Sequence, residues 1–191
     1  AQNVVVTVGG NASNAVQFAV LGPTLTSLDP SSGPGGTTLT VYGANFGATQ
    51  GTSSVTVGGA SASIVSWANT QVVVTVPVSL TAGANNVVVT TPAGSSGLLP
   101  FTVTPLLVSL APSSGSGGSL VTISGSGFGA VQGGSTITFN GVVAGISSWS
   151  PGSIDAIVPN TATTGPVVVT VSGIASNSLT FTVSPTITGR N

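Results

Sequence analysis

The sequence lacks most of the side chains on which protein chemistry depends. Its 191 residues contain no cysteine, histidine, methionine or lysine, and the only charged side chains belong to Asp29, Asp155 and Arg190. Charged residues make up 2% of the chain, against roughly 25% in ordinary globular domains. Composition therefore excludes disulfides and zinc–thiolate sites.

The missing titratable groups also exclude most enzyme mechanisms. A serine nucleophile needs a neighbouring base, and the chain has neither histidine nor lysine to supply one. One carboxylate in each half of the chain cannot form the pair that glycoside hydrolysis uses. Asp29 precedes Pro30, where aspartate commonly bonds its own backbone at a turn, and Asp155 is expected to be a solvated strand residue. The sequence thus predicts a protein that is not an enzyme and has no cofactor or metal site.

Two further classes of partner are excluded by absences. With almost no lysine or arginine, the chain cannot neutralise phosphates, so we expect no nucleic-acid partner. Mean hydropathy is +0.60, yet no window of 18 consecutive apolar residues exists, which is what a spanning helix would need. We therefore expect no membrane-spanning segment.

The residues that are present favour β-structure. The chain contains 28 Ser, 27 Thr, 28 Gly and 12 Pro, together with short valine runs such as Val72–Val74 and Val87–Val89. Several segments alternate apolar and polar residues, and none keeps a 3.6-residue period. Clusters of Gly, Pro, Ser and Asn separate the short apolar segments, as at 31–36, 82–86 and 92–97. About seven short strands per unit are predicted, the first at 24–29 and the last two at 86–91 and 98–103.

The strongest signal is an internal repeat. Residues 24–77 align without a gap with residues 106–159, and 25 of the 54 positions are identical. The second copy then loses two residues before the alignment resumes at Val167 and Phe181. A period of about 80 residues with this much identity indicates tandem copies of one domain.

A third, partial copy is predicted at the N-terminus. Val4, Val5, Val6, Phe18 and Val20 match the last two strands of a repeat at a spacing of 83 residues. These five residues are predicted to form assembly strands, because their apolar face has no sandwich of its own. The predicted organisation is a C-terminal strand pair, two complete repeats, and a linker or the start of a further repeat, at residues 1–21, 22–104, 105–184 and 185–191.

The opening of each complete repeat resembles a known family. The runs Ser27–Gly47 and Ser109–Gly129 are similar to the opening of an IPT/TIG domain, including its Gly-x-x-Phe-Gly step at Gly43, Phe46 and Gly47. This resemblance implies an all-β fold of tandem immunoglobulin-like β-sandwiches (IPT/TIG type). It is greatest to bacterial multi-repeat secreted or cell-surface proteins, which implies an extracellular or cell-surface location.

Few residues are candidates for ligand binding. Trp67 and Trp149 occupy equivalent positions in the two repeats, where an indole either stacks on a sugar ring or packs at the edge of the core. Tyr42 aligns with Ser124, so it is not part of the repeated core and is expected to be exposed. Asn11-Ala-Ser13 matches the N-glycosylation sequon.

The uncharged strands suggest a structural role. Sheet edges are usually protected by charge, particularly lysine, and this chain has none to place there. We therefore expect an extended stalk or extracellular filament, built by domain stacking and by strand complementation, with copies of itself or adjacent repeats of the same polypeptide as partners. The alternative is an adhesion or carbohydrate-binding module of a larger surface protein or secreted hydrolase, with glycans as partners.

Overall fold

The computed structural model describes residues 2–185, in which every regular element is a β-strand. Residues 186–191, with Arg190 and nearly all of the segment expected to be a linker or further repeat, lie outside the described residues, as does Ala1. The N-terminal segment contains β1 (Gln2–Val4), β2 (Thr7–Val8), β3 (Asn11–Ala12) and β4 (Val16–Phe18).

Two sandwiches with the same topology follow. The first contains β5 (Thr24–Asp29), β6 (Ser32–Gly33), β7 (Thr38–Ala44), β8 (Ser54–Val57), β9 (Ala60–Ser61), β10 (Ser63–Ala68), β11 (Gln71–Thr75), β12 (Gly83–Thr91), β13 (Gly94–Ser95) and β14 (Leu99–Val103). The second contains β15 (Leu106–Ala111), β16 (Ser114–Gly115), β17 (Leu120–Ser126), β18 (Thr136–Phe139), β19 (Val142–Val143), β20 (Gly145–Trp149), β21 (Ser153–Ile157), β22 (Gly165–Val171), β23 (Ile174–Ala175) and β24 (Leu179–Val183).

Each sandwich has one four-stranded sheet and one larger sheet. In the first sandwich the order β10-β11-β7-β5 faces the order β6-β14-β12-β8-β9, with β13 paired to β12. The chain crosses between sheets after Asp29: β5 pairs antiparallel with β7, whereas β6 pairs parallel with β14. Asp29 and Pro30 therefore form the crossover, which agrees with the turn predicted there.

Alternation along the strands builds the core of each sandwich. Leu39 and Val41 on β7 and Val72 and Val74 on β11 are fully buried, while the residues between them, Thr40 and Val73, lie on the other face and are half-buried. Phe101 belongs to the same cluster, and the second sandwich repeats the arrangement around Ile123, Phe139 and Phe181. The prediction of an all-β fold with tandem immunoglobulin-like sandwiches is confirmed.

One strand extends further than the sequence pattern suggests. The sequence predicts a strand over 86–91, but β12 begins at Gly83 and pairs there with Val103. Residues 82–86 had the composition of a turn. Pairing with β14 extends β12 through Asn85 and Asn86 despite their low strand propensity.

Candidate assembly interface

A sharp turn follows the second long strand of each sandwich. Gly43 lies on β7 opposite Leu25, and a Cβ at this position would collide with the carbonyl oxygen of Thr24 and the ring of Phe46. The absence of a side chain lets Phe46 fold back under the strand, where it is 1% exposed. Gly125 and Phe128 repeat this arrangement in the second sandwich. The Gly-x-x-Phe-Gly step is thus a packing requirement of the turn.

Each of the two tryptophans is hydrogen-bonded to the turn of its own sandwich. Nε1–H of Trp67 donates to the carbonyl oxygen of Gly47 at 3.2 Å, and its ring lies 6.2 Å from that of Phe46 at 58°. Trp149 donates to the carbonyl oxygens of Phe128 and Gly129 at 3.2 and 3.1 Å and packs edge-on against Phe128. Both indoles are half-buried against the cores. This geometry supports the packing interpretation over sugar stacking.

The other predicted ligand residues lie apart. Tyr42 is on β7, half-buried where an exposed side chain was expected, and it pairs with Gln71. Asn11 is exposed on β3 in the N-terminal segment. Trp67 and Trp149 belong to different sandwiches, so the structure does not bring the three aromatic candidates into one site.

A contact between the sandwiches was not apparent from the sequence. The loop before β12 lies against the turn after β17: N–H of Ala82 donates to the carbonyl oxygen of Gly127 at 2.9 Å. Ala82 is 5% exposed and packs in the core cluster of the second sandwich, although it belongs to the first repeat in the sequence. A Cβ at Gly129 would lie 2.9 Å from Cγ2 of Thr81. One loop of the first sandwich therefore caps the second.

The connecting segment closes the other side of this contact. Gly127 has a φ of 79°, and a Cβ there would lie 3.1 Å from Cα of Pro105 and 3.3 Å from the carbonyl oxygen of Thr104. The absence of a side chain at Gly127 thus allows the turn of the second sandwich to approach the connecting backbone closely.

The equivalent turn of the first sandwich borders an open cavity. Its volume is about 560 Å³, and its lining includes Val20, Leu21, Asn45, Phe46 and Asn69. Nδ2 of Asn45 donates to the carbonyl oxygen of Gly22 at 3.2 Å, and Oδ1 of Asn69 accepts from the N–H of Gly47 at 3.0 Å. At the second sandwich a smaller cavity of about 250 Å³ remains, and Thr81 forms part of its wall.

The five apolar residues of the N-terminal segment that were predicted to form assembly strands are all exposed. Val4, Val5, Val6, Phe18 and Val20 are 52, 47, 61, 58 and 52% exposed. Their counterparts in the first sandwich, 83 residues later, include Val87, Val89, Phe101 and Val103, and these four are fully buried.

The strand pairing of this segment is nevertheless that of a closed repeat. Gln2 pairs with Phe18, as Asn85 pairs with Phe101. Oγ of Ser13 accepts from the N–H of Val6 at 3.0 Å, and Ser96 and Ser176 accept from Val89 and Val169 at 3.1 Å. We name residues 2–20 the N-terminal strand pair; it has the local geometry of β12 to β14, but no sheet in the described part of the chain faces it.

One carboxylate has a perturbed pKa. Asp155 lies on β21 and accepts hydrogen bonds from Oγ1 of Thr122 at 2.7 Å and Oγ of Ser148 at 2.8 Å. The bond from Thr122, followed by that from Ser148, lowers the pKa of Asp155 below its ordinary value. Asp155 thus joins three adjacent strands on an accessible sheet face, as expected for a strand residue in contact with solvent. Within residues 2–185 no three metal-ligating side chains cluster.

A family assignment agrees with this architecture. The IPT/TIG domain profile matches residues 23–104 and 105–183. The chain belongs to the IPT/TIG domain family. The resemblance read from the Gly-x-x-Phe-Gly steps is confirmed; the first match begins just before β5, and the two matches meet between β14 and β15. No curated protein sequence matches the chain.

The chain also has low similarity to several solved structures. A surface glycan-binding protein from Prevotella bryantii is 18% identical with a TM-score of 0.47, covering 86% of this chain and 43% of that protein. The extracellular region of plexin A4 is 21% identical with a TM-score of 0.39, covering 83% and 18%. A γ-CGTase from alkalophilic Bacillus clarkii is 15% identical with a TM-score of 0.40, covering 91% and 28%. The chain spans less than half the length of each of these proteins. In the described part of the chain no helix is long and apolar enough to cross a membrane.

Proposed function

We propose that the chain is a non-enzymatic structural segment of an extracellular or cell-surface protein, in which IPT/TIG sandwiches stack end to end as a stalk or filament. The observation that carries this proposal is the N-terminal strand pair. It has the strand register and the serine hydrogen bond of a closed repeat, yet presents to solvent the residues whose counterparts are fully buried. Covering these apolar side chains by a facing sheet would be strongly favourable.

The contact between the two sandwiches supplies the stacking geometry. The Thr81–Ala82 loop and the connecting segment at Thr104 and Pro105 hold the same turn from two sides. A contact repeated at each junction would propagate in one direction, as head-to-tail interfaces do.

Composition fits this role better than a catalytic one. The sequence offers two carboxylates, of which Asp155 is engaged by two hydroxyl groups on a sheet face, and no base that could activate a serine. Each indole N–H is bonded to the turn of its own sandwich and both rings are half-buried, which favours packing over the carbohydrate-binding alternative.

Electron microscopy and mass measurement of the native material test the proposal. The expected result is an unbranched rod of serial sandwiches. An intact mass far above 18.2 kDa would mean that the same polypeptide completes the strand pair, whereas rods built from chains of 18.2 kDa would mean strand complementation between subunits. Compact single particles would contradict the proposal.

A further inference from the structure

The two sandwiches present the same turn but differ in what covers it. At the second sandwich the Thr81–Ala82 loop lies against Gly127 and Gly129. At the first sandwich the corresponding positions are Asn45 and Gly47, and they border the cavity of about 560 Å³. A Cβ at Gly47 would meet only the carbonyl oxygen of Thr49 within 4 Å, so none of the described residues covers Gly47 as Thr81 covers Gly129.

The sequence register indicates what belongs in the cavity. In the first sandwich, Thr81-Ala82-Gly83 leads directly into 84–90, which read Ala-Asn-Asn-Val-Val-Val-Thr. Residues 1–7 read Ala-Gln-Asn-Val-Val-Val-Thr and match this segment at six of seven positions. At its other end the strand pair runs through Val20 into Leu21, and both residues line the cavity. A repeat that completes the strand pair in this register would therefore have a loop equivalent to Thr81-Ala82-Gly83 directly before the strand pair, and this loop would lie at the cavity.

We propose that the cavity of the first sandwich is the docking site for the Thr-Ala loop of a preceding repeat in the same polypeptide, the repeat whose closing strands are residues 2–20. This inference rests on the proposed function and adds the specific contact. The cavity chemistry fits a neutral loop: its lining includes Phe46, Val20 and Leu21, and none of the described residues that line it is charged. The carbonyl group that corresponds to the acceptor at Gly127 is that of Asn45.

A separate copy of the chain fits the cavity less well. Both sandwiches already contain their own closing strands, β12 with β14 and β22 with β24. Suppose that a sandwich of a separate copy contacted the first sandwich in the way that the first sandwich contacts the second. Its own closing strands would then occupy the space in which residues 2–20 lie. A preceding stretch that lacks closing strands avoids this overlap.

The contact can first be measured within the existing chain. A Cβ at Gly129 would lie 3.8 Å from Cβ of Thr81, which matches the mean separation of about 3.8 Å in disulfides. Because the chain has no cysteine, the double variant Thr81→Cys/Gly129→Cys is expected to form one intramolecular disulfide. The matched control is Thr81→Cys/Gly141→Cys: Gly141 has a φ of 82° against 80° at Gly129, but open space around it. Equal cross-linking of both variants would overturn the contact.

The inference itself is tested in an extended chain. Residues 22–83 are duplicated in front of Ala1, so that the added Thr-Ala-Gly loop leads into the strand pair as it leads into 84–90. A cysteine replaces the threonine of the added loop and is combined with Gly47→Cys, or with Gly59→Cys as the control. Gly59 has a φ of 82°, against 90° at Gly47, and open surroundings. We expect a disulfide in the double variant that contains Gly47→Cys and none in the control that contains Gly59→Cys. As a second measurement, thiol labelling of the single variant Gly47→Cys should slow at least tenfold on extension.

The outcomes separate this inference from the proposed function. If amide exchange at Val4–Val6 slows in the extended chain but Gly47→Cys neither cross-links nor becomes protected, the stacking proposal stands and the loop contact is overturned. If the strand pair still exchanges freely, the completion of the repeat has failed as well. A neutral oligosaccharide mixture that shifts the NMR signals of Asn45 and Asn69 in the unextended chain, with no loop contact in the extended chain, would assign the cavity to a glycan instead.

Discussion

Nε1–H of Trp67 donates to the carbonyl oxygen of Gly47, twenty residues earlier in the chain, at 3.2 Å. The bond ties an edge strand to the turn that borders the open cavity. Trp149 makes the same connection with two acceptors in place of one. Both tryptophans are half-buried, and the turn that Trp149 holds is the one that the Thr81–Ala82 loop of the first sandwich contacts.

Replacing each tryptophan by phenylalanine should measure how much its hydrogen bond to the turn contributes to stability. Trp67→Phe removes one hydrogen-bond donor, so we expect the free energy of unfolding to fall by about 1 kcal/mol. Trp149→Phe removes a donor that two carbonyl oxygens share, so we expect a somewhat larger loss. Urea denaturation followed by circular dichroism gives both values. Unchanged stability together with loss of glycan binding would favour sugar stacking instead.

Gly43 should be irreplaceable by alanine. Its Cβ would meet the carbonyl oxygen of Thr24 and the Phe46 ring inside contact distance. Overpacking of this kind costs typically 1–3 kcal/mol, and because backbone must move here we expect about 3 kcal/mol. Gly97→Ala is the control, since Gly97 has open space and no positive φ. Equal stability of the two variants by thermal unfolding would mean that the turn does not need the glycine.

The pH dependence of the second sandwich should follow Asp155. Because the folded state lowers the pKa of this carboxyl group, its contribution to stability is present above the unfolded pKa and is lost as the pH falls through the folded value, below about pH 4. In Thr122→Val the pKa of Asp155, measured from its carboxyl carbon by NMR, should rise toward the ordinary value. Ser148→Ala should raise it less. A pKa that neither substitution moves would contradict this assignment.

Matched phenylalanine truncations should separate the covered repeat from the uncovered strand pair. Phe101 is fully buried, so Phe101→Ala is expected to cost about 3–5 kcal/mol. Phe18 occupies the equivalent position but is 58% exposed, so Phe18→Ala should change the stability of the isolated chain by less than about 0.5 kcal/mol. Denaturation of both variants under the same conditions provides the comparison. A large loss with Phe18→Ala would mean that the strand pair already packs within the chain.

The sequence predicted the fold well because local signals agree with it. Threonine alternates with Leu39 and Val41 at the start of β7, glycine and proline mark the turns, and the Gly43–Phe46–Gly47 step repeats at an offset of 82 residues. The early start of β12 at Gly83 was missed because pairing with β14 outweighs the turn composition there.

The contact surfaces could not be predicted in the same way. Thr81 and Ala82 look like ordinary loop residues, and their role depends on how the connecting segment places the second sandwich. One sequence feature distinguishes the loop that contains Thr81 and Ala82: the corresponding loop of the second repeat is two residues shorter. The partners of Asp155 are likewise on other strands, 33 and 7 residues away.

Amide hydrogen exchange at Val4–Val6 and Val16–Phe18, compared between the native assembled material and the isolated chain, tests the central claim most directly. We expect these amides to exchange quickly in the isolated chain and, in the native material, as slowly as those of Val87–Val89. Equally fast exchange in both would contradict the account, because the strand pair would then be uncovered where the protein works.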